Sequence, residues 1–585
     1  MVKTPVLFVP GITGSFNLPV LLDWRGPTLS GWDFPPFVGY GKQFVESFQK
    51  AGYVRDSDLF VAFYDWRKAV KDSALTYLKP WIDRAKQRSG KPKVILICHS
   101  MGGLVARSYI QGQSYAGDVE RLITVGTPHR GSAQAYYSWG SGVTRADQTT
   151  QTVFGVYLWY LRHVHPFQTD LDPLRTMRTQ IPAVRDLLPI DNYLISQGAV
   201  PTPKDEDSLV ERNLWGDILN LPVNVESLMR KVSAVTTMSG TGFSTIRQIV
   251  VGAPPPSPET PALYPDGAPI SDQVAGDGDD TVLQANARLN HPRAKNLPPV
   301  NVSHGALPDH PAILTQLFGE LGVSSPSLGA APVQEPQLVI MTASPVRMQV
   351  QTPAGPPMAQ PGVLGAFVED TAPSRRSRRI RARDHGHSGK HLNIVVVPSP
   401  AAGSYKVQLD GTSTGGFALG AMLVSAGGVQ VLGGDGAGES RPAPTPITTM
   451  TGQTARESEL HYEVICSSSD SPPEIRLNAM ATAYSALRKL RAGVQAAQGG
   501  VLGGAGADPV GAVLGGSSAS DELRGTAQAA LGDDDDALDR VAAMLGGAGA
   551  GADMADLLTA VAERVIGSQN QAQAAAILAQ IQALR

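Results

Sequence analysis

Cysteine is nearly absent from this sequence: its 585 residues include two, Cys98 and Cys466, far apart and in stretches of different character. A disulfide framework is therefore excluded, and two thiols cannot hold a zinc ion by themselves. Charge is also sparse, with 17% Asp, Glu, Lys and Arg and a net charge of −3, against roughly 25% charged residues in ordinary soluble domains. That balance excludes a globally basic nucleic-acid binder. Long apolar runs are missing too. The longest uncharged stretch, Thr412 to Gly434, is broken by many glycines, which cannot supply the transfer energy of a membrane-spanning helix of about 20 residues. The expectation is a soluble protein. In the opening MVKTPVLFVPGITGS, one lysine and an apolar run of five precede Pro10 and Gly11, and that run is shorter than a signal-peptide core. A cytoplasmic location is expected from this, with other export routes left open.

What is present is distributed unevenly. Gly 62 and Pro 45 are in excess without a G-X-Y period, so they mark loops and linkers rather than a collagen helix. Hydrophobic residues at 42% support globular folding, and the length allows about four domains at roughly 150 residues each. All seven tryptophans precede residue 216. Up to about residue 320 the short runs VLFVP, DLFVAFY, VILICHS, RLITVGTP, KVSAVTTMSG and RQIVVG alternate with longer polar-apolar segments. Such runs read as buried parallel strands of an α/β domain over residues 1–322. A Pro/Ser/Ala-rich linker is expected over 323–336. From 337 to 470 the apolar residues alternate, as in Val346, Met348 and Val350, in Tyr405, Val407 and Leu409, and in Leu460, Tyr462, Val464 and Cys466. That period of two argues for a small antiparallel β-sandwich. Residues 471–585 turn Ala/Gly-rich with helical spacing, and no aromatic follows Tyr484, so a helical tail with a meagre core is expected.

Val94-Ile95-Leu96-Ile97 leads into Cys98-His99-Ser100-Met101-Gly102-Gly103, after which LVARSYI resumes at helical spacing. This reads as strand, sharp turn and helix with a serine at the turn, the pattern of a G-x-S-x-G nucleophile elbow in which Cys98 replaces the first glycine. Cys98 itself reads as an inert small hydrophobe at a strand end. His99 should point away from Ser100 and pack. A serine hydroxyl needs a histidine to take its proton and an acid to orient that histidine. Gly276-Asp277-Gly278-Asp279-Asp280-Thr281-Val282 and Ser303-His304-Gly305-Ala306-Leu307 supply them in the chain order expected after an elbow. Asp277, Asp279 and Asp280 compete for the acid, and His304 competes with His310 for the base. Near the N-terminus VLFVP runs into Gly11-Ile12-Thr13-Gly14-Ser15. The Ile12 N–H there and the Met101 N–H are candidates for an oxyanion hole. GITGS lacks the Lys-Ser/Thr ending of a P-loop, so nucleotide binding is discarded.

Taken together, VPGITGS, Tyr64-Asp65-Trp66-Arg67, CHSMGG, VGTPHRGS, GDDTV and HGALPDHPAIL resemble the lecithin:cholesterol acyltransferase family of α/β-hydrolases over about the first 320 residues. The resemblance implies an α/β-hydrolase fold with a cap insertion, ahead of the β-sandwich and the helical tail, which it does not cover. It further implies Ser100 as nucleophile, Asp279 as acid and His304 as base, acting on phospholipid or another lipid ester without cofactor or metal. Water as acceptor gives a lipase or phospholipase, and an alcohol gives an O-acyltransferase. Tyr64 to Arg67 is read as a structural brace.

About a hundred residues separate GTPHRGS from KVSAV, too many for a plain connection. They are expected to form a cap at about 133–238, with Tyr136, Tyr137, Trp139, Tyr157 and Trp159 either lining an acyl pocket, meeting a lipid surface or packing on the sheet. Arg375, Arg376, Arg378, Arg379, Arg381 and Arg383 read as a solvated hairpin rather than a headgroup site. His385, His387 and His391 lie on a Gly/Ser loop and read as no metal site. Asp533 to Asp536 suits a helix N-terminus. The rival reading is an inactive hydrolase fold whose sandwich and tail mediate binding. A complete Ser, Asp and His set argues against it.

Overall fold

The computed structural model describes residues 3–478 apart from 23–24, 145–147, 165–172, 199, 257–261, 331–334, 344–345, 354–356, 359–391, 413–414, 425–446, 455–458 and 468–471. The arginine-rich stretch, the three close histidines, the Asp533 run and residues 479–585 of the Ala/Gly-rich tail therefore lie outside the described residues, whereas Glu474–Leu477, expected at the head of the helical tail, is a strand, its alternating pattern continuing that of the sheet it joins. The chain divides into two compact units, one made chiefly of residues 1–334 and one from Glu335 onward. Among the described residues no helix is long and apolar enough to cross a membrane.

In the first unit, six strands form a wholly parallel sheet: β1 (Val6–Val9), β2 (Leu59–Val61), β3 (Val94–His99), β4 (Val119–Val125), β5 (Ala234–Met238) and β6 (Ala294–Asn296). Their spatial order is β6-β5-β4-β3-β1-β2. Every residue of β1 and of β3 is buried. This follows from a parallel sheet covered by crossover helices, whose strands must be apolar on both faces. The helix Lys79–Ser89 enters β3 and the helix Met101–Gln111 leaves it, so Ser100 stands at the carboxyl end of a central strand. Loops at that edge of a parallel sheet are where ligands are bound.

The run RQIVVG departs from the sequence reading. It belongs to Phe243–Val251, which pairs antiparallel with Pro269–Gly278 and parallel with Leu194–Ser196 in a separate four-stranded sheet. An apolar run identifies a strand but not its partner. The long connection between β4 and β5 contains the helices Ala135–Ser141, Gln148–Val164, Pro173–Gln180, Leu214–Asn220 and Pro222–Lys231. Because Ala234–Met238 is itself a strand of the central sheet, this insertion ends before Ala234 rather than at 238.

The second unit holds two antiparallel sheets. One runs Leu392–Pro398, Gln337–Ala343, Gly415–Val424, Thr448–Thr454, and the other Pro357–Met358, Val346–Gln351, Gly403–Gly411, Glu459–Cys466, Glu474–Leu477. Alternate residues of the second sheet, Tyr405, Val407, Leu409, Leu460, Val464 and Cys466, share one buried cluster with Leu338, Ile340 and Leu419 of the first. Met348 is only partly buried beside them.

Candidate active site

The sharpness of the turn at Ser100 is visible in its backbone. Ser100 has φ 52 and ψ −130, a region that costs a non-glycine residue on the order of 1–3 kcal/mol. Neighbouring backbone holds it there: the Ser100 N–H donates to Val125 O at 2.9 Å, and its own C=O accepts from Gly103 N–H at 3.0 Å. The turn fits only because Gly102 has no side chain. A Cβ there would lie 2.4 Å from Val9 O and 2.5 Å from Pro10 O, backbone atoms that cannot yield cheaply. Gly102→Ala is accordingly expected to destabilise the protein by about 1–3 kcal/mol, measured as a lowered urea midpoint.

Ser100 Oγ lies 2.8 Å from His304 Nε2, and His304 Nδ1 lies 2.9 Å from Asp279 Oδ2. All three residues are buried. Asp279 Oδ1 accepts the N–H groups of Thr281 at 3.2 Å and Val282 at 2.7 Å, and the His304 N–H donates to Asp279 O at 2.7 Å. The acid is thus fixed from both sides. An imidazole so placed can draw the hydroxyl proton, while the carboxylate steadies the tautomer and the charge that forms.

The other candidates are placed elsewhere. His310 caps the helix Pro311–Leu321, its Nδ1 accepting Ala312 N–H at 3.2 Å. Asp277 pairs with Arg247 at 3.5 Å on the surface. Asp280 Oδ1 accepts the Thr281 hydroxyl at 2.7 Å. Cys98 is fully buried, and burial pushes its thiol pKa well up.

The turn Gly11–Gly14 closes against Ser100. A Cβ on Gly11 would lie 2.8 Å from Ser100 Cβ, so glycine is what permits the approach. Thr13 is held at φ 61, and Gly14 N–H donates to Gly11 O at 3.1 Å. Among the described residues, no protein acceptor takes the N–H of Ile12 or of Met101.

Beside Ser100 lies a cleft that opens to solvent. Its walls combine Phe154, Val184, Leu187 and Val282 with the hydroxyls of Ser132, Ser138 and Thr150. Tyr157 and Trp159 are not among the residues lining it. Tyr157 instead accepts from Arg67 Nη1 at 3.1 Å and packs edge-on to Trp66, and Trp159 packs on Tyr160. The helix Gln148–Val164 presents Thr150 and Phe154 to the cleft, a choice of face that helical periodicity alone leaves open. Arg67 is fully buried on Asp65, with both carboxylate oxygens at 2.8 Å, and joins that helix to the end of β2.

Sequence reasoning missed Asp309, one residue before His310. Its carboxylate accepts Gly41 N–H at 2.5 Å and Phe44 N–H at 2.8 Å, capping the helix Lys42–Lys50 from a distant part of the chain. Burial, opposed by these backbone donors, pushes its pKa from 3.8 up to about 6. The folded state then binds the proton more tightly than the unfolded one, so this group's contribution to stability falls as pH rises from about 3.8 to about 6. Relative to Asp309→Asn, the wild type should lose on the order of 3 kcal/mol between pH 3.5 and pH 7, measured as the difference in denaturant midpoints at each pH.

Comparison with known proteins finds relatives over part of the chain. Residues 38–153 match the family model of lecithin:cholesterol acyltransferase. The chain is 34% identical over 91 residues to phospholipase A(1) LCAT3 of Arabidopsis thaliana, covering 15% of this chain and 20% of that protein. It is 31% identical over 140 residues to the lysosomal phospholipase A and acyltransferase of Canis lupus familiaris, covering 23% of this chain and 32% of that protein. The match thus spans a fifth to a third of these relatives' lengths. Among solved structures, the Bacillus licheniformis lipase BlEst2 in its propeptide form aligns over 82% of this chain and 96% of its own, at 14% identity and a TM-score of 0.31. The cytoplasmic location expected from the N-terminal residues is corrected by the relatives, since the matching dog and human proteins are named lysosomal. The shortness of one apolar run is no guide to compartment.

Proposed function

We propose that the chain is a serine-dependent lipid-ester hydrolase or O-acyltransferase that works through an acyl-serine. Ser100 Oγ attacks the ester carbonyl as its proton passes to His304 Nε2, and Asp279 steadies the imidazolium. The Ile12 and Met101 N–H groups receive the oxyanion. When the intermediate collapses, the carbonyl–alcohol bond breaks and the departing alcohol takes the proton from His304. Water, or a second alcohol, then gives its proton to His304 and attacks the acyl-serine; the carbonyl–Oγ bond breaks, Ser100 Oγ takes the proton back from His304, and acid or a new ester is released.

The observation that carries this reading is the hydrogen-bonded series from Ser100 through His304 to Asp279, built on a strained turn at the head of a parallel sheet. The substrate class is supported by a cleft that sets apolar walls beside hydroxyl groups, as an acyl chain and a polar alcohol require, and by relatives named phospholipase and acyltransferase. The insertion between β4 and β5 is proposed as a cap, meeting the lipid surface through the exposed Leu214, Ile218, Leu221 and Val223. Residues 1–322 are proposed as the catalytic domain and the two sheets from Gln337 to Leu477, seven residues past the expected end at 470, as a β-sandwich.

The test is incubation of the full chain with phospholipid vesicles, with and without a soluble long-chain alcohol. Fatty acid alone in both arms identifies a hydrolase, and an acylated alcohol identifies a transferase. Neither product from phospholipid or acylglycerol vesicles rejects the lipid-ester reading.

A further inference from the structure

We infer that Tyr40 and His99 are positioning residues that couple the turn at Gly11 to the main chain of His304, an inference that rests on reading Ser100 and His304 as nucleophile and base.

The hydrogen bonds leave one direction of donation. His99 Nε2 lies 3.0 Å from His304 O; a carbonyl only accepts, so Nε2 carries the hydrogen. His99 is fully buried, and its ring centroid is 4.8 Å from that of His304. Burial first, and then the neighbouring imidazole, press its pKa well below the ordinary value. The ring is therefore neutral, and its Nδ1 is an acceptor. Tyr40 Oη lies 2.9 Å from that Nδ1 and donates to it, while Gly11 N–H donates to Tyr40 Oη at 3.0 Å. The series runs from Gly11 N–H to Tyr40 O–H to His99 Nδ1, then from His99 Nε2–H to His304 C=O.

Its consequence is mechanical. The His304 N–H is already held by Asp279 O at 2.7 Å, so the base is anchored at both main-chain polar groups as well as at both ring nitrogens. The same tyrosine oxygen holds the amide next to Ile12, so the base and the oxyanion turn share one support. Misplacement of a reacting group by about 1 Å can cost about a hundredfold in rate. Loss of this support should therefore reduce turnover without reducing affinity.

The experiment compares full-length wild type with Tyr40→Phe, His99→Leu and His99→Gln on a soluble nitrophenyl ester. It also measures labelling of Ser100 by an alkyl fluorophosphonate, which reads nucleophilicity without the ester. Tyr40→Phe and His99→Leu are expected to lower kcat and the labelling rate by about 10–100-fold, with KM within threefold. His99→Gln, whose amide N–H can still reach the His304 carbonyl, is expected to recover most of the labelling rate lost in His99→Leu. Unchanged kcat and labelling in Tyr40→Phe would overturn the inference, as would a glutamine variant no better than the leucine one. The reading beneath it fails differently: Ser100→Ala would then turn over ester at the wild-type rate, or the fluorophosphonate would leave Ser100 unmodified.

Discussion

Ser100→Ala is expected to reduce kcat on a fatty ester by at least about 10⁴-fold, and toward 10⁶-fold if the three groups act as one unit. The size of the effect follows from what alanine leaves behind. The cleft, the Ile12 and Met101 amides and the His304–Asp279 pair all remain, so substrate still binds and an oxyanion would still be stabilised. The bond-forming atom alone is gone. Residual turnover of about 10³–10⁴ over the uncatalysed rate is expected from binding and oxyanion stabilisation alone. Folding should not suffer, because Ser100 Oγ has its partner in His304 and the strained turn is held by the Val125 and Gly103 backbone bonds. Relief of a positive φ is not available to alanine either. A melting temperature within about 2 °C of wild type, with no acyl-enzyme captured from an ester by mass spectrometry, is the expected result. Ester turnover equal to wild type would remove Ser100 from the reaction.

Much of the first unit is legible in the sequence because burial on both faces forces continuous apolar runs. VLFV and VILICH need no partner to be recognised as buried strands. In the second unit the alternation of Tyr405, Val407 and Leu409 does the same work at a period of two, since one face of each strand meets the shared core. The order of Ser, Asp and His along the chain is also readable, each in a loop that follows an apolar stretch. Partnership is what local pattern cannot convey. RQIVVG is as apolar as β5, yet it pairs in a different sheet. Tyr157 and Phe154 share a helix and an aromatic character, yet one seats on Arg67 and the other lines the cleft.

His99 shows the same limit inside the site. Read from its position before Ser100, its side chain points away from the hydroxyl and packs. The geometry agrees that it does not touch Ser100, and adds that a ring turned away can still grip the backbone of the residue opposite. Asp309 is hidden for a related reason. Its partners are the N–H groups of Gly41 and Phe44, and backbone donors leave no mark in the identity of the residues that carry them. Tyr40, His99 and Asp309 thus tie the segment around Gly41 to both ends of the turn His304–Asp309.

Asp279→Asn is expected to be nearly as damaging as loss of the serine, by about 10⁴-fold in kcat, although the two side chains have the same shape. The reason lies in the backbone around the acid. Thr281 and Val282 both donate N–H groups to Oδ1, leaving Oδ2 for His304 Nδ1. An asparagine has one oxygen, and those two donors claim it. Its amide nitrogen must then face His304 Nδ1 with a hydrogen of its own, so the ring accepts at Nδ1 and moves its proton to Nε2. That nitrogen would point a hydrogen at Ser100 Oγ instead of a lone pair, and the hydroxyl proton would have nowhere to go. Stability and KM should change little, because no atom is lost and no clash is made. Imidazole nitrogen chemical shifts of His304 should report a proton on Nε2 in the variant and on Nδ1 in the wild type. Asp280→Asn keeps an oxygen for the Thr281 hydroxyl and should cost less than about tenfold, and Asp277→Asn, on the surface beside Arg247, less than about twofold. A collapse of kcat in Asp280→Asn with Asp279→Asn left active would move the acid one residue along the loop and take the tautomer argument with it.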